Sequence, residues 1–177
     1  GAVVGNVSLG ECSDVAWNYI EYLAYDCDEI YLEPMQDGRP CVVPEPVGDL
    51  VIPETIDGHP VVGIGERSFA NCRQLTSVAI PASVWYVATS AFEGCTSLTN
   101  ITIYGDVENS SFVSIDGILY EWRYDYLWQT GDEGDHLYMT IWPEGLYLEE
   151  YECPEGVVDL DWNANLRQVS RLGLSST

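Results

Sequence analysis

The sequence predicts a mainly β chain with irregular coil, built as a short solenoid whose coils are about 23 residues long. Three observations carry this. Phe69, Cys72 and Leu75 in SFANCRQL recur as Phe92, Cys95 and Leu98 in AFEGCTSL, each 23 residues further on. An Ile-Pro step at Ile52-Pro53 recurs at Ile80-Pro81. Apolar and polar residues alternate through LTSVAIP, which is the period of a strand with one face buried.

Residues 1–46 read as an N-terminal capping segment. VAWNYIEYLAY is rich in Trp, Tyr and Ile, which suit strands, and CDEIYLEP reads as a strand bounded by turn residues. Ser13-Asp14 could equally cap a helix, so a β-rich cap is preferred with a short helix as its rival.

The repeats occupy residues 47–104. Leu75, Val78 and Ile80 point into the stack, while Thr76, Ser77 and Ala79 face out. Pro81 has no N–H to donate, so the strand stops there. Val84, Val87, Ala91 and Phe92 bring the coil back over the core. Leu98, Ile101 and Ile103 open a third coil by repeating Leu75, Val78 and Ile80. The two Ile-Pro steps lie 28 residues apart, so the first coil carries a five-residue insertion, placed at Ile56–Val61. The structural core of the repeats is therefore Phe69, Cys72, Leu75, Val78, Ile80, Phe92, Cys95 and Leu98. One coil cannot bury its own apolar face, so coils must stack at about the 4.8 Å strand spacing and be capped.

Taken together, LTSVAIPASVWYVATSAFEGCTSL resembles the BspA-like leucine-rich repeat, whose pattern is LxxIxIPxxVxxIxxxAFxxC. LVIPETIDGHPVVGIGERSFANC is similar to the longer opening repeat of that family, and SFVSIDGILYE to the hairpin that interrupts its repeats. The resemblance covers about half of the chain. It implies a short right-handed leucine-rich-repeat solenoid from a secreted or surface-attached bacterial protein, located outside the cell or at its surface. Trp85-Tyr86 departs from the family pattern and places two bulky aromatics on the outside of the coil.

Beyond the repeats, residues 105–143 read as a β-hairpin insertion and 144–177 as a degenerate C-terminal repeat or cap. Apolar residues alternate from Phe112 to Glu121 around Asp116-Gly117, a strong two-residue hairpin signal. YDYLWQT and HLYMTIWP form a second hairpin, with GDEGD, Gly131–Asp135, as its connection. Trp142-Pro143 and Cys153-Pro154 replay the Ile-Pro step, and Leu166, Val169 and Leu172 end the chain on a strand-like pattern.

With 29 acidic and 6 basic residues among 177, the chain carries a formal charge of −23, and its pI is about 4.1. Clustered Lys and Arg are missing, which argues against nucleic acid and anionic membranes as partners. No apolar run reaches the ~20 residues of a membrane span. A hydrophobic content of 46% argues against disorder, and this length suits one domain or one and a half. The chain opens on Gly1 with no charged stretch ahead of an apolar one, so no signal peptide is read within it.

Catalytic chemistry finds little support. His59 lies in the insertion and His136 at a loop edge, neither with an evident partner, and no GxSxG, GxxxxGK[ST] or GxGxxG motif occurs. Asp132, Glu133 and Asp135 lack calcium-loop spacing and read as a solvated turn. No CxxC pair suggests zinc or redox chemistry. Cys72 and Cys95 read as reduced, packed thiols; Cys12, Cys27, Cys41 and Cys153 fall outside the repeats, where a bridge tying down the cap is open.

The expected function is a non-catalytic binding module with no cofactor or metal, monomeric, meeting a protein or glycan at a cell surface. The alternatives are a spacer within a larger surface protein and, ranked last, a carbohydrate-binding or carbohydrate-active domain, the latter using two carboxylates flanked by tryptophans. The expected binding surface comprises Thr76, Ser77, Ala79, Thr99, Asn100 and Thr102 in rows, with Trp85, Tyr86 and Tyr104; Trp122 and Trp128 are further exposed aromatics to follow.

Overall fold

Aromatic and β-branched residues fill the segments between turns, and the described chain is accordingly strand after strand. The computed structural model describes residues 4–8, 15–22, 28–127, 132–160 and 169–173. Among them, the helical element is a single 3-10 turn at Val107–Asn109.

The cap is β-rich. β1 (Val4–Ser8), β2 (Ala16–Tyr22) and β3 (Glu29–Leu32) pair antiparallel in succession, and β4 (Val42–Val43) also pairs with β2. The helix rival fails over Ala16–Tyr22 because an extended backbone puts buried Trp17 and Tyr19 on one face. Asn18, also buried, donates from Nδ2 to the Glu33 and Pro34 carbonyls at 2.9 and 3.1 Å. Trp17 then packs edge-on against Phe69, with ring centroids 6.4 Å apart.

The repeats follow as β5 (Gly48–Val51), β6 (Thr55–Ile56), β7 (His59–Ile64), β8 (Leu75–Pro81), β9 (Tyr86–Val87) and β10 (Asn100–Tyr104). β5, β8 and β10 form a parallel sheet in which Leu50, Val78 and Ile101 lie in one row. That row steps by the 28 and 23 residues read from the sequence. The insertion is a two-residue hairpin: β6 and β7 are joined by Asp57 and Gly58, whose φ angles of 53° and 88° define a turn that glycine tolerates best.

Across the core lies a second sheet, where β7 pairs parallel with β3 on one side and β9 on the other. All eight expected repeat-core residues are buried between these layers. Phe69 and Phe92 stack with centroids 5.0 Å apart and planes 6° from parallel. Each such ring removed from water contributes roughly 1.5–3 kcal/mol.

The C-terminal part begins with β11 (Phe112–Ile115), β12 (Ile118–Leu127) and β13 (Asp132–Ile141). β11 and β12 turn through Asp116-Gly117, with φ angles of 53° and 81°, as the alternation predicts. β12 is one long strand serving both hairpins, which are therefore a single three-stranded meander. The expected GDEGD connection is corrected here: Asp132–Asp135 belong to β13, opposite Tyr124–Leu127. The ladder is extended by pairs such as Trp122–Leu137, and backbone pairing prevails over the weak strand propensity of Asp and Gly at a solvated strand end. His136 likewise lies within β13 and is buried, not at a loop edge.

β14 (Leu148–Glu152), β15 (Val157–Leu160) and β16 (Val169–Gly173) complete the described chain. β15 pairs parallel with β13, and β16 parallel with β14, so that Leu148 faces Val169. Strand-like pairing thus holds for Val169 and Leu172, whereas Leu166 lies outside the described residues. A second core forms from Ile118, Tyr120, Leu137, Met139, Trp142, Tyr151 and Cys153. Leu119, between Ile118 and Tyr120, instead joins the first core, so β12 is buried on both faces there.

Candidate binding surface

The outward side of the β5–β8–β10 sheet gathers the expected polar rows. Parallel register aligns Asp49, Ser77 and Asn100 in one row and Val51, Ala79 and Thr102 in the next. Asp49 Oδ1 accepts hydrogen bonds from Ser77 Oγ at 2.6 Å and Thr76 Oγ1 at 3.1 Å, which hold its carboxyl below the usual carboxylate range. Thr99 Oγ1 donates to the Thr76 carbonyl at 3.3 Å, and Thr102 Oγ1 to the Val78 carbonyl at 3.4 Å. Each of these four hydroxyls spends its single proton on the sheet and keeps lone pairs for solvent. The face is therefore rich in acceptors, with the exposed Asn100 amide adding both a donor and an acceptor, and it is flanked by exposed Val47 and Val51.

Its limits are set by two contacts. Tyr104 is half-buried and donates its hydroxyl to the Ile52 carbonyl at 2.5 Å, so its ring lies across the strand ends; burial and nearby Glu54 push its phenol pKa up. On the C-terminal side the Asp116-Gly117 turn abuts Asn100. Ile101 N–H donates to the Gly117 carbonyl at 2.9 Å, and a Cβ at Gly117 would lie 2.9 Å from Asn100 Oδ1.

Trp85 and Tyr86 are not part of this face. They belong to the other sheet, where Tyr31, Gly63 and Tyr86 stand in register. Trp85 and Tyr86 are 50% and 42% exposed. Tyr31 meets Trp85 edge-on at 5.7 Å and Tyr86 at 6.3 Å, and the Trp85 and Tyr86 rings lie 6.4 Å apart. The sequence reading missed Tyr31. The available signal was Gly63 inside the strand pattern HPVVGI, since a strand glycine marks a close approach; a Cβ there would meet the Tyr31 ring at 2.0 Å. Trp122 is exposed on β12, and Trp128 lies outside the described residues.

The remaining chemistry-bearing residues are structural. Cys72 and Cys95 are buried free thiols, as are Cys41 and Cys153, so a bridge tying down the cap does not use these four; Cys12 and Cys27 lie outside the described residues. Cys95 Sγ donates to the Phe69 carbonyl at 3.0 Å. A hydrogen bond with Cys95, together with burial, pushes the Cys72 thiol far above its ordinary range, and burial does the same to Cys41. His59 Nδ1 lies 3.1 Å from the Asp28 carbonyl, a turn-side role. Among the described residues no cluster of His, Cys, Asp or Glu is arranged to hold a metal, and no helix is long and apolar enough to cross a membrane.

The family model for the BspA type leucine rich repeat region, in 6 copies, matches residues 50–117. Over these residues the chain is similar to BspA-type leucine-rich repeats. The match takes in β8, β10 and the end of β5 from Leu50, leaving Asp49 just outside it, and continues to the Asp116-Gly117 turn. No curated protein matches the chain. Three solved structures are similar to it. A leucine rich cell surface protein from Faecalibacterium prausnitzii is 24% identical, with a TM-score of 0.39, over 64% of this chain and 31% of that one. The leucine rich repeat protein of T. pallidum is 18% identical, with a TM-score of 0.48, over 89% and 78%. A leucine-rich repeat protein from Bacteroides ovatus is 18% identical, with a TM-score of 0.44, over 97% and 39%. The chain thus spans less than a third of the Faecalibacterium protein's length.

Proposed function

We propose that the BspA-type repeats form a short right-handed solenoid serving as a non-catalytic recognition module of a secreted or surface-attached bacterial protein. Its role is adhesion or another protein–protein interaction outside the cell. The observation that carries this reading is an acceptor-rich face without a cation, in which the Asn100 amide is the side-chain donor left to a partner. Ser77 and Thr76 donate into Asp49, Thr99 and Thr102 donate into the backbone, and nothing in these rows is cationic. Such a face is complementary to a partner that supplies donors, such as Lys, Arg or backbone N–H groups. A net charge of −23 favours the same neutral or basic protein surfaces and repels acidic polymers. Stacked coils present an extended surface rather than a deep pocket, which suits a macromolecule better than turnover of a small substrate.

The test is an array of extracellular-matrix and cell-surface proteins probed with the chain and with a Ser77→Arg/Thr99→Arg variant. The expected result is a partner whose binding weakens with added salt and is lost in the variant. Binding that the variant leaves intact overturns the assignment to this face. Hydrolysis of any substrate, abolished by changing one Asp or Glu, overturns the non-catalytic reading.

A further inference from the structure

The sheet across the core from the acceptor face carries a second, chemically different surface. Tyr31, Trp85 and Tyr86 stand together on it without lying flat: the Tyr31 and Trp85 planes are 89° apart, Tyr31 and Tyr86 52°, and Trp85 and Tyr86 61°. Three rings turned towards one another make a notch rather than a platform. The notch is held from below by Gly63, where any side chain would collide with the Tyr31 ring. Burial does not explain the cluster, because Trp85 leaves half of its surface open.

Tyr86 also lines an open cleft of about 230 Å³, shared with Glu66, Thr89, Ser90, Glu121 and Arg123. Arg123 is oriented there by its Nε donating to Glu121 Oε2 at 2.8 Å and by its guanidinium lying over the Tyr138 ring, 5.0 Å from the centroid. Aromatic carbon thus adjoins carboxylates, hydroxyls and a fixed guanidinium. This combination matches a pyranose, whose C–H faces are attracted to the negative face of a ring and whose hydroxyls both donate and accept.

We propose that Tyr31, Trp85 and Tyr86, with the adjoining Glu66–Glu121–Arg123 cleft, bind a neutral saccharide. Neutrality follows from the cleft, which holds two carboxylates against one guanidinium, on a chain of net charge −23. The site is independent of the acceptor face, since Tyr31 and Tyr86 belong to the β3–β7–β9 sheet, Glu121 and Arg123 to β12 of the meander, and none to the β5–β8–β10 sheet.

The experiment is isothermal titration calorimetry of the full chain with laminarihexaose, cellohexaose and mannohexaose, and with a heparin hexasaccharide as the anionic probe. Saturable binding of at least one neutral probe is expected, with none of heparin and little change on adding salt. Trp85→Ala and Tyr86→Ala should each weaken it about tenfold or more. Glu66→Gln, at an exposed position, should weaken it while keeping the urea midpoint of the parent. Ser77→Arg on the acceptor face should leave it unchanged, which separates this site from the protein-binding reading. Failure of all three neutral probes to bind overturns the proposal, as does binding that survives Trp85→Ala and Tyr86→Ala together.

Discussion

The two hydrophobic cores of this chain are built on opposite principles. In the repeats, the same residue type recurs at the same place on successive coils: Phe69 under Phe92, Cys72 beside Cys95, Val78 beside Ile101. The core there is a set of ladders, and parallel pairing brings together residues far apart in the chain. The meander core uses each side chain once. Tyr120 meets Tyr151 hydroxyl to hydroxyl, and Trp142 packs edge-on against Tyr151 at 4.9 Å. The first design is specified by repetition and tolerates polar variation on its open face; the second depends on individual contacts with buried polar tips.

The largest expected effect tests the ladders. Phe92→Ala should destabilise the chain by roughly 3–5 kcal/mol in urea unfolding, because a stacked and buried ring leaves a cavity on a stiff scaffold. A loss below about 1 kcal/mol would remove Phe92 from the core and break the comparison. Next comes Tyr151→Phe, which deletes the hydroxyl partner of buried Tyr120; about 1–3 kcal/mol should be lost, seen mainly in the meander by hydrogen exchange.

The same pair makes a pH prediction. Burial, with their mutual hydrogen bond, pushes Tyr120 far above its usual 10.0, and burial carries Tyr151 up to about 12. A phenol whose pKa is raised by folding stabilises the protein fully below the unfolded value and loses that contribution as pH climbs towards the folded one. The meander should therefore weaken between pH 10 and 12, following tyrosinate absorbance, and Tyr151→Phe should flatten that dependence. Smallest of all is Thr99→Ala on the acceptor face, where stability should stay within about 0.5 kcal/mol of the parent even if partner binding changes.

How much was legible follows the same division. The eight core residues of the repeats, the 28- and 23-residue steps and the Asp116-Gly117 turn could be read directly, because repetition and turn chemistry are local patterns. The Asp132–Asp135 segment was misread as a connection because its strand character comes from pairing with Tyr124–Leu127, which no local window contains. The candidate surface was half legible. Alternation identified Thr76, Ser77, Thr99 and Asn100, but exposure alone grouped Trp85 and Tyr86 with them, and which sheet an exposed residue joins is fixed by strand pairing.

By itself, then, the sequence determined the 28- and 23-residue steps between the parallel strands, the buried face of those strands and the strongly acidic character, since each is set by residue type and spacing along the chain. Only the tertiary structure decided that Asp49 gathers the Thr76 and Ser77 hydroxyls, that Gly63 makes room for Tyr31 beside Trp85 and Tyr86, and that β12 is buried on both faces. Each of these joins residues whose separation along the chain carries no signal, and it is packing between sheets that fixes which of them meet.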